Sequence, residues 1–232
     1  MRRQVLSLVV VLFVSGLVAP ATSYAQQSLN IYVGGFVPKA ADSRTGNDVL
    51  VGNLDFLAFK IDDFKSATFG GEWLFGLGER FDAGFGLGIY SKTVPSVYRD
   101  LTHSSGAEIE QDLKLRVVPF TATVRFLPLG RGAAIQPYVG AGVGVFAWRY
   151  SETGEFVDST DSSIFRDSFS GSGATAGPVV LGGVGFPLGA WSIGGEIRYQ
   201  SAQGDLPSDQ GFSGTKIDLG GLTYLASFKV RF

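Results

Sequence analysis

Leu222-Thr223-Tyr224-Leu225-Ala226-Ser227-Phe228-Lys229-Val230-Arg231-Phe232 stands at the C-terminal end of the chain, and its reading decides the fold. Leu222, Tyr224, Ala226, Phe228, Val230 and Phe232 share one parity; Thr223, Leu225, Ser227, Lys229 and Arg231 share the other. A period of two places one set on each face of a β-strand, whereas a helix would scatter both sets around its surface. The pattern recurs upstream. Phe81, Ala83, Phe85, Leu87 and Ile89 alternate with Asp82, Gly84, Gly86, Gly88 and Tyr90, and Trp191, Ile193, Gly195, Ile197 and Tyr199 alternate with Ser192, Gly194, Glu196, Arg198 and Gln200.

Working outward, eight such strands are predicted: Leu29–Val37, Ala67–Phe75, Phe81–Ser91, Leu113–Phe126, Gln136–Tyr150, Thr175–Phe186, Trp191–Gln200 and Asp218–Phe232. Their connections alternate in length. Gly76–Arg80, Leu127–Ile135 and Pro187–Ala190 are short, while Pro38–Ser66, Lys92–Asp112, Ser151–Ala174 and Ser201–Ile217 are long and polar. Four hairpins with every long loop at one end are the pattern of a transmembrane barrel with short periplasmic turns and long outer loops. The predicted fold is all-β: an eight-stranded antiparallel up-and-down barrel spanning a membrane, with both chain ends on the periplasmic side.

The first residues do not belong to it. Arg2 and Arg3 precede the apolar run Val5–Val18, and Pro20, Ser23 and Ala25 follow as a small-x-small cleavage pattern. This reads as a secretory signal over residues 1–25, cut after Ala25, with the barrel over 26–232; the apolar run is short for a helix that must cross roughly 30 Å of hydrocarbon. Losing Arg2 and Arg3 leaves 17 basic against 21 acidic residues, a net charge of −4. Nucleic acid is not an expected partner, since it requires a clustered basic face. No cysteine and a single histidine, His103, leave no thiolate or multi-histidine metal site, and no cofactor is expected. With 33 glycines but 45% apolar and 13% aromatic residues, the composition departs from that of a disordered chain.

A soluble β-sandwich or lipocalin-like barrel would also alternate, but its second face should be rich in Lys, Glu and Thr. Here that face carries Gly84, Gly86, Gly88, Gly140, Gly142 and Gly144, which suit a narrow lumen. Ser168–Gly195 runs 28 residues without a charge, yet it contains nine glycines and two prolines. At roughly 1 kcal/mol per glycine and about 3 per interior proline, it is a poor helix. Parity also turns Phe75, Phe81, Phe126, Phe186, Trp191 and Phe232 outward beside a short turn or the C-terminus, the expected periplasmic aromatic girdle.

Four stretches carry a family resemblance: Tyr224…Phe228-Lys229-Val230-Arg231-Phe232; Gln136-Pro137-Tyr138-Val139-Gly140-Ala141-Gly142-Val143-Gly144; Gly194-Gly195-Glu196-Ile197-Arg198-Tyr199; and Pro119-Phe120 opening a strand that ends Arg125-Phe126-Leu127-Pro128. Over residues 28–232 the chain resembles the outer membrane protein β-barrel domain family, the OmpA/OmpX-type small barrels, and also OmpW-like barrels. The resemblance implies an outer-membrane location among lipid and lipopolysaccharide. It also implies that Tyr224, Phe228, Val230 and Phe232 form a terminal signal read by the barrel-assembly machinery. None of the four stretches specifies an activity. The chain ends at Phe232, so the peptidoglycan-binding domain that follows many such barrels is not expected.

Parity points Glu72, Arg125, Glu196, Arg198 and Lys229 into the lumen. An eight-stranded interior is only wide enough for side chains to fill, and a charge at that depth must be paired or solvated. A salt-bridge plug is the expected arrangement; a gate whose pairs exchange is the alternative. His103 and Ser105 have the His-x-Ser spacing of some lipid A deacylases, but they lie in a polar loop with no third group to hold the base, so no enzyme is expected. Glu152, Glu155, Asp158, Asp161 and Asp167 make the third long loop acidic, though their spacing matches no EF-hand. In the same loop Phe156, Ile164, Phe165 and Phe169 either extend the hairpin or form a sticky tip. The function expected is a structural or surface-interaction scaffold displaying four extracellular loops, with an unnamed outer partner; the alternative is a narrow channel for small or hydrophobic solutes.

Overall fold

The computed structural model describes residues 26–158 and 160–232; the signal sequence and Ala25 lie outside the described residues. Eight strands close a barrel: β1 (Gln27–Pro38), β2 (Ser66–Leu77), β3 (Phe81–Thr102), β4 (Glu108–Phe126), β5 (Gln136–Val157), β6 (Ile164–Leu188), β7 (Trp191–Gln200) and, after two short strands, β10 (Gly221–Arg231). Each pairs antiparallel with its sequence neighbour in the barrel, and β1 closes on β10 through Ser28↔Arg231 to Pro38↔Gly221. The short strands β8 (Gln203–Asp205) and β9 (Lys216–Asp218) form a ribbon in the last outer loop.

The eight strands fall where alternation predicts them, but four are much longer than predicted. β3, β4, β5 and β6 run 22, 19, 22 and 25 residues, against 12, 12, 10 and 11 for β1, β2, β7 and β10. The stretches Lys92–Asp112 and Ser151–Ala174 are therefore not loops. They are the upper parts of two hairpins, the first turning at 103–107 and the second between the end of β5 at Val157 and the start of β6 at Ile164. Inward Val94, Ser96, Ile109, Gln111 and Leu113 keep the period of two there, while their outward neighbours Thr93, Glu108, Glu110 and Asp112 face water. Polar residues on the outer face hid these extensions.

A membrane-crossing strand needs about 9–11 tilted residues, so the short strands just span while the long ones stand well clear of the bilayer. Pairing marks the boundary. β2 stays with β3 only up to Thr68↔Tyr90, and β6 with β7 only up to Val179↔Gln200. Above those rows, β3–β6 form an open four-stranded wall with two edges that no barrel strand pairs. The β3 edge is partly covered by the first outer loop, where Ala58 N donates to Val97 O and Arg99 N to Phe56 O. The outward face below the boundary is apolar: Phe85, Leu87, Phe120, Val124, Val143, Ile193, Ile197 and Tyr224 are all exposed.

The main core lies inside the upper barrel. The first outer loop, residues 39–65, contains the short helix α1 (Val49–Asn53) capped by Asp48. It folds inward and buries Val49, Leu50, Leu57, Phe59, Ile61 and Phe64 against Tyr90, Leu115, Phe146, Trp148 and Val179.

Candidate functional site

Two layers fill the barrel interior. The lower layer lies within the apolar belt and is built from inward side chains of β2, β4, β5 and β7. Arg125 Nη2 donates to Glu72 Oε2 and, at 2.8 Å, to Glu196 Oε2. Arg198 reaches Glu196 Oε1 through Nε at 3.0 Å and Nη2 at 2.7 Å, and lies 3.9 Å from Glu72 Oε2. Tyr138 and Thr123 hydroxyls complete the carboxylates at 3.0 and 3.3 Å. The guanidiniums stack on aromatic faces, Arg125 over Tyr138 at 4.7 Å and Arg198 over Tyr32 at 5.5 Å. Two arginines and two glutamates, all nearly inaccessible, cancel in charge. This satisfies the requirement that charge at membrane depth be paired and hydrogen-bonded.

Glycine provides the space. A methyl at Gly84 would lie 2.7 Å from Glu72 Oε1, and one at Gly142 would lie 2.0 Å from the Ala122 carbonyl of the neighbouring strand. Lys229 stands apart from this cluster: among the described residues no carboxylate lies within ion-pair distance of it. Nearer the periplasmic mouth, Arg131 pairs with Asp82 at 2.5 Å and Arg231 donates to Gln136 Oε1 at 3.1 Å.

The upper layer is the inward-folded first loop. Asp48 Oδ1 accepts from Leu50 N at 3.0 Å and from Arg44 Nε at 3.1 Å, while its Oδ2 accepts from Asp218 N at 2.6 Å. Arg44 Nη2 donates to Asp218 O at 2.8 Å, and Lys39 Nζ pairs with Asp218 Oδ2 at 3.2 Å. These contacts fasten the first outer loop to the last. Burial pushes the Asp48 carboxyl above its ordinary value, against the opposing pull of Arg44 and the backbone donors. Between the two layers a cavity of about 30 Å³ remains, bounded by Tyr32, Tyr90, Pro119 and Arg198. That is room for a water or two.

Sequence reasoning missed the plug, although a signal was present. Leu57, Phe59 and Ile61 alternate with polar or small neighbours inside a stretch read as a polar loop.

The outward residues take their places at the rims. Phe75, Phe81, Phe126, Phe186, Trp191 and Phe232 all lie at the turn-bearing end. Phe81 packs on Phe126 at 5.3 Å, Trp191 on Phe228 at 5.5 Å, and Trp73 on both Phe75 and Phe232. Of the residues that the resemblance assigns to a terminal signal, Tyr224 and Phe228 are exposed on the belt and Val230 is half-buried. Above the belt, outward Arg116 lies directly opposite outward Arg149.

The outer ends hold the remaining candidates. His103 Nε2 lies 2.8 Å from Glu155 Oε2, and Arg166 reaches Glu155 Oε1 at 3.2 Å. The His103 hydrogen bond, with Arg166 assisting, holds Glu155 below the usual carboxylate range. Glu155 thus supplies the third group that the sequence did not reveal, but Ser105 Oγ turns to Ala107 N at 3.5 Å in its own turn. The acids of the third outer hairpin diverge: Glu152 points inward, Glu155 joins His103, and Asp158 and Asp161 accept from the turn amides of Thr160 and Ser163. Among the described residues no three acidic or histidine side chains converge as metal ligands.

A closed eight-stranded ring, an apolar exterior one bilayer tall, aromatics at the turn end and a compensated charge cluster inside are now all in view. The fold is that of a small outer-membrane β-barrel. Among solved structures the chain is similar to Neisserial surface protein A, at 12% identity over 89% of this chain and 97% of that one, with a TM-score of 0.48. It is similar to Ail, the attachment invasion locus protein of Yersinia pestis, at 13% over 90% and 99%, TM-score 0.44. A third is the N-terminal β-barrel domain of Pseudomonas aeruginosa OprF, at 11% over 90% and 99%, TM-score 0.40. No family model and no curated protein sequence matches the chain. At such identities the likeness is one of fold.

Proposed function

We propose that the chain is a closed outer-membrane scaffold: a barrel that passes no solute and holds its β3–β6 wall and outer loops rigidly above the lipid. The observation that carries this reading is the doubly filled lumen. An ion cluster occupies the level of the membrane, an apolar plug occupies the level above it, and about 30 Å³ separates them. Opening a path would require breaking charge pairs at membrane depth and also extracting several buried apolar side chains. The facing Arg116 and Arg149 fit the same placement. Like charges opposite one another on adjacent strands repel, neither has an ion-pair partner among the described residues, and the phosphates of an outer-leaflet lipid such as lipopolysaccharide would neutralise them.

Planar-bilayer recording tests the reading. Refolded barrel, verified by heat-modifiable gel mobility, is expected to give no reproducible single-channel steps. Steps of constant size from the parent protein would overturn the closed scaffold and favour a narrow channel.

A further inference from the structure

Above the plug, the tall wall and the two outer loops enclose a pocket of about 680 Å³. That is within the size range of sites for small organic ligands. Its sides are aromatic. Phe56 of the first loop meets Tyr98 of β3 at 5.7 Å, while Phe156 of β5 stacks on Phe165 at 5.8 Å and meets Phe169 edge-on at 4.8 Å. Its floor is polar and buried. Glu152 is 5% exposed, and its carboxylate accepts from Asn53 Nδ2 at 2.7 Å, Tyr150 OH at 2.8 Å and Gln111 Nε2 at 3.2 Å. All three donors are neutral.

Among the described residues no lysine, arginine or histidine lines the pocket, whereas Asp158 and Asp209 do. Burial raises the pKa of Glu152, which the three neutral donors only partly oppose. Gln111, 2% exposed, uses its amide nitrogen on Glu152, and among the described residues its Oε1 has no donor. The floor therefore lacks the same thing twice over: a carboxylate without a cation and a buried amide oxygen without an N–H. A buried acceptor left unmade is costly, and a buried charge without a counter-charge more so. A ligand ammonium is both a cation and an N–H donor, and the aromatic walls would favour it further through their ring faces.

We propose that this pocket binds a protonated amine carried on an apolar or aromatic body, with the ammonium at Glu152 and Gln111 and the body between the Phe56–Tyr98 and Phe156–Phe165 pairs. The site opens on the outer side of the plug, which contributes Asn53 and Phe56 to it, and its test reads ligand affinity rather than conductance. Parent barrel in zwitterionic nanodiscs is titrated with 4-phenylbutylammonium and with its neutral analogue 4-phenylbutanol, and empty nanodiscs are subtracted. The ammonium is expected to bind saturably and at least about tenfold more tightly than the alcohol, the size of one charge-assisted contact. Glu152→Gln should abolish that preference. Phe165→Ser, at an exposed position on the hairpin, should weaken both probes while leaving the floor intact. Spermine, which has charge without an apolar body, should bind weakly. Equal affinity for ammonium and alcohol in the parent, or no saturable ammonium binding, would overturn the proposal even if Glu152→Gln fails to fold; so would an undiminished preference in a folded Glu152→Gln barrel.

Discussion

Replacing Glu196 by glutamine removes one negative charge from the lumen cluster at almost constant volume. Glu196 accepts four hydrogen bonds: two from Arg198 on Oε1, one from Arg125 and one from Tyr138 on Oε2. An amide can offer an acceptor to only one side, so whichever way it turns its NH₂ meets a guanidinium or a hydroxyl donor. The cluster also goes from neutral to a net positive charge. Removing one partner of a buried pair costs about 3–5 kcal/mol. Here Arg125 keeps Glu72, and Arg198 has Glu72 Oε2 at 3.9 Å to fall back on. The expected loss therefore lies at the low end, about 3 kcal/mol, a hundredfold or more in the folded-to-unfolded ratio. Adding Arg198→Gln restores neutrality and leaves the Arg125–Glu72 pair whole, so the double variant should recover about 1–3 kcal/mol of the summed single losses. Urea titration of barrels folded into vesicles, read by heat-modifiable mobility and tryptophan fluorescence, measures all the corners of this cycle. A Glu196→Gln barrel within about 0.5 kcal/mol of the parent would refute the reasoning, as would a double variant whose loss equals the sum of the singles.

Deleting Phe232, whose amide donates to Gln27 O at 3.0 Å and whose ring meets Trp73, should lower the yield of folded barrel in the membrane far more than deleting Thr160 in a hairpin turn; equal yields would count against a terminal assembly signal. Arg116→Gln with Arg149→Gln should reduce the lipopolysaccharide retained by the barrel after mild detergent extraction, as weighed by native mass spectrometry, and unchanged retention would remove the pair from lipid contact. The Glu155 pKa is lowered, so the contribution of the His103–Glu155 clasp should be complete above the ordinary glutamate range and be lost only as pH falls below that range through the lowered value. Amide chemical shifts at the two hairpin tips follow this directly, and tips that part at neutral pH would contradict it.

Period-two alternation made the lower barrel legible because lipid demands it: every outward position there must be apolar, so the contrast with Glu72, Arg125, Glu196 and Arg198 is sharp. The same parity brought those four charges to one place, but it could not separate Lys229 from them, since height along the barrel axis follows from register between strands rather than from parity. Above the bilayer the contrast fades. Thr93, Glu110 and Ser151 face water just as loop residues do, so the continuation of β3–β6 looked like polar loops. The inward-folded plug was the largest omission. Its decisive contacts, Asp48 to Asp218 and Asn53 to Glu152, join residues 170 and 99 positions apart, and no local pattern announces them. The aromatics Phe156, Phe165 and Phe169 stood out in the sequence, but that they face one another inside a pocket depended on the hairpin being straight.

The upper edge of β6 has a consequence of its own. A barrel closes because hydrocarbon offers nothing to an unpaired amide; where β6 leaves β7 at Val179, water takes over that role and closure ceases to be necessary. The strand continues as an edge that the last outer loop covers only in part, Ser201 N donating to Pro178 O and Ser170 N to Gln210 Oε1, and what stays open invites pairing with another chain. Arg166 and Asp167 place charges on it, and Gly171 and Gly173 weaken its hold on an extended form. Both features discourage a second copy from adding itself there. The β6 amides that point away from β5, every second one along the strand, should consequently exchange with solvent deuterium in two regimes, slow below Val179 and, except at Ser170, whose N–H is taken by Gln210 Oε1, fast above it. The step between them marks, residue by residue, where the oily phase ends.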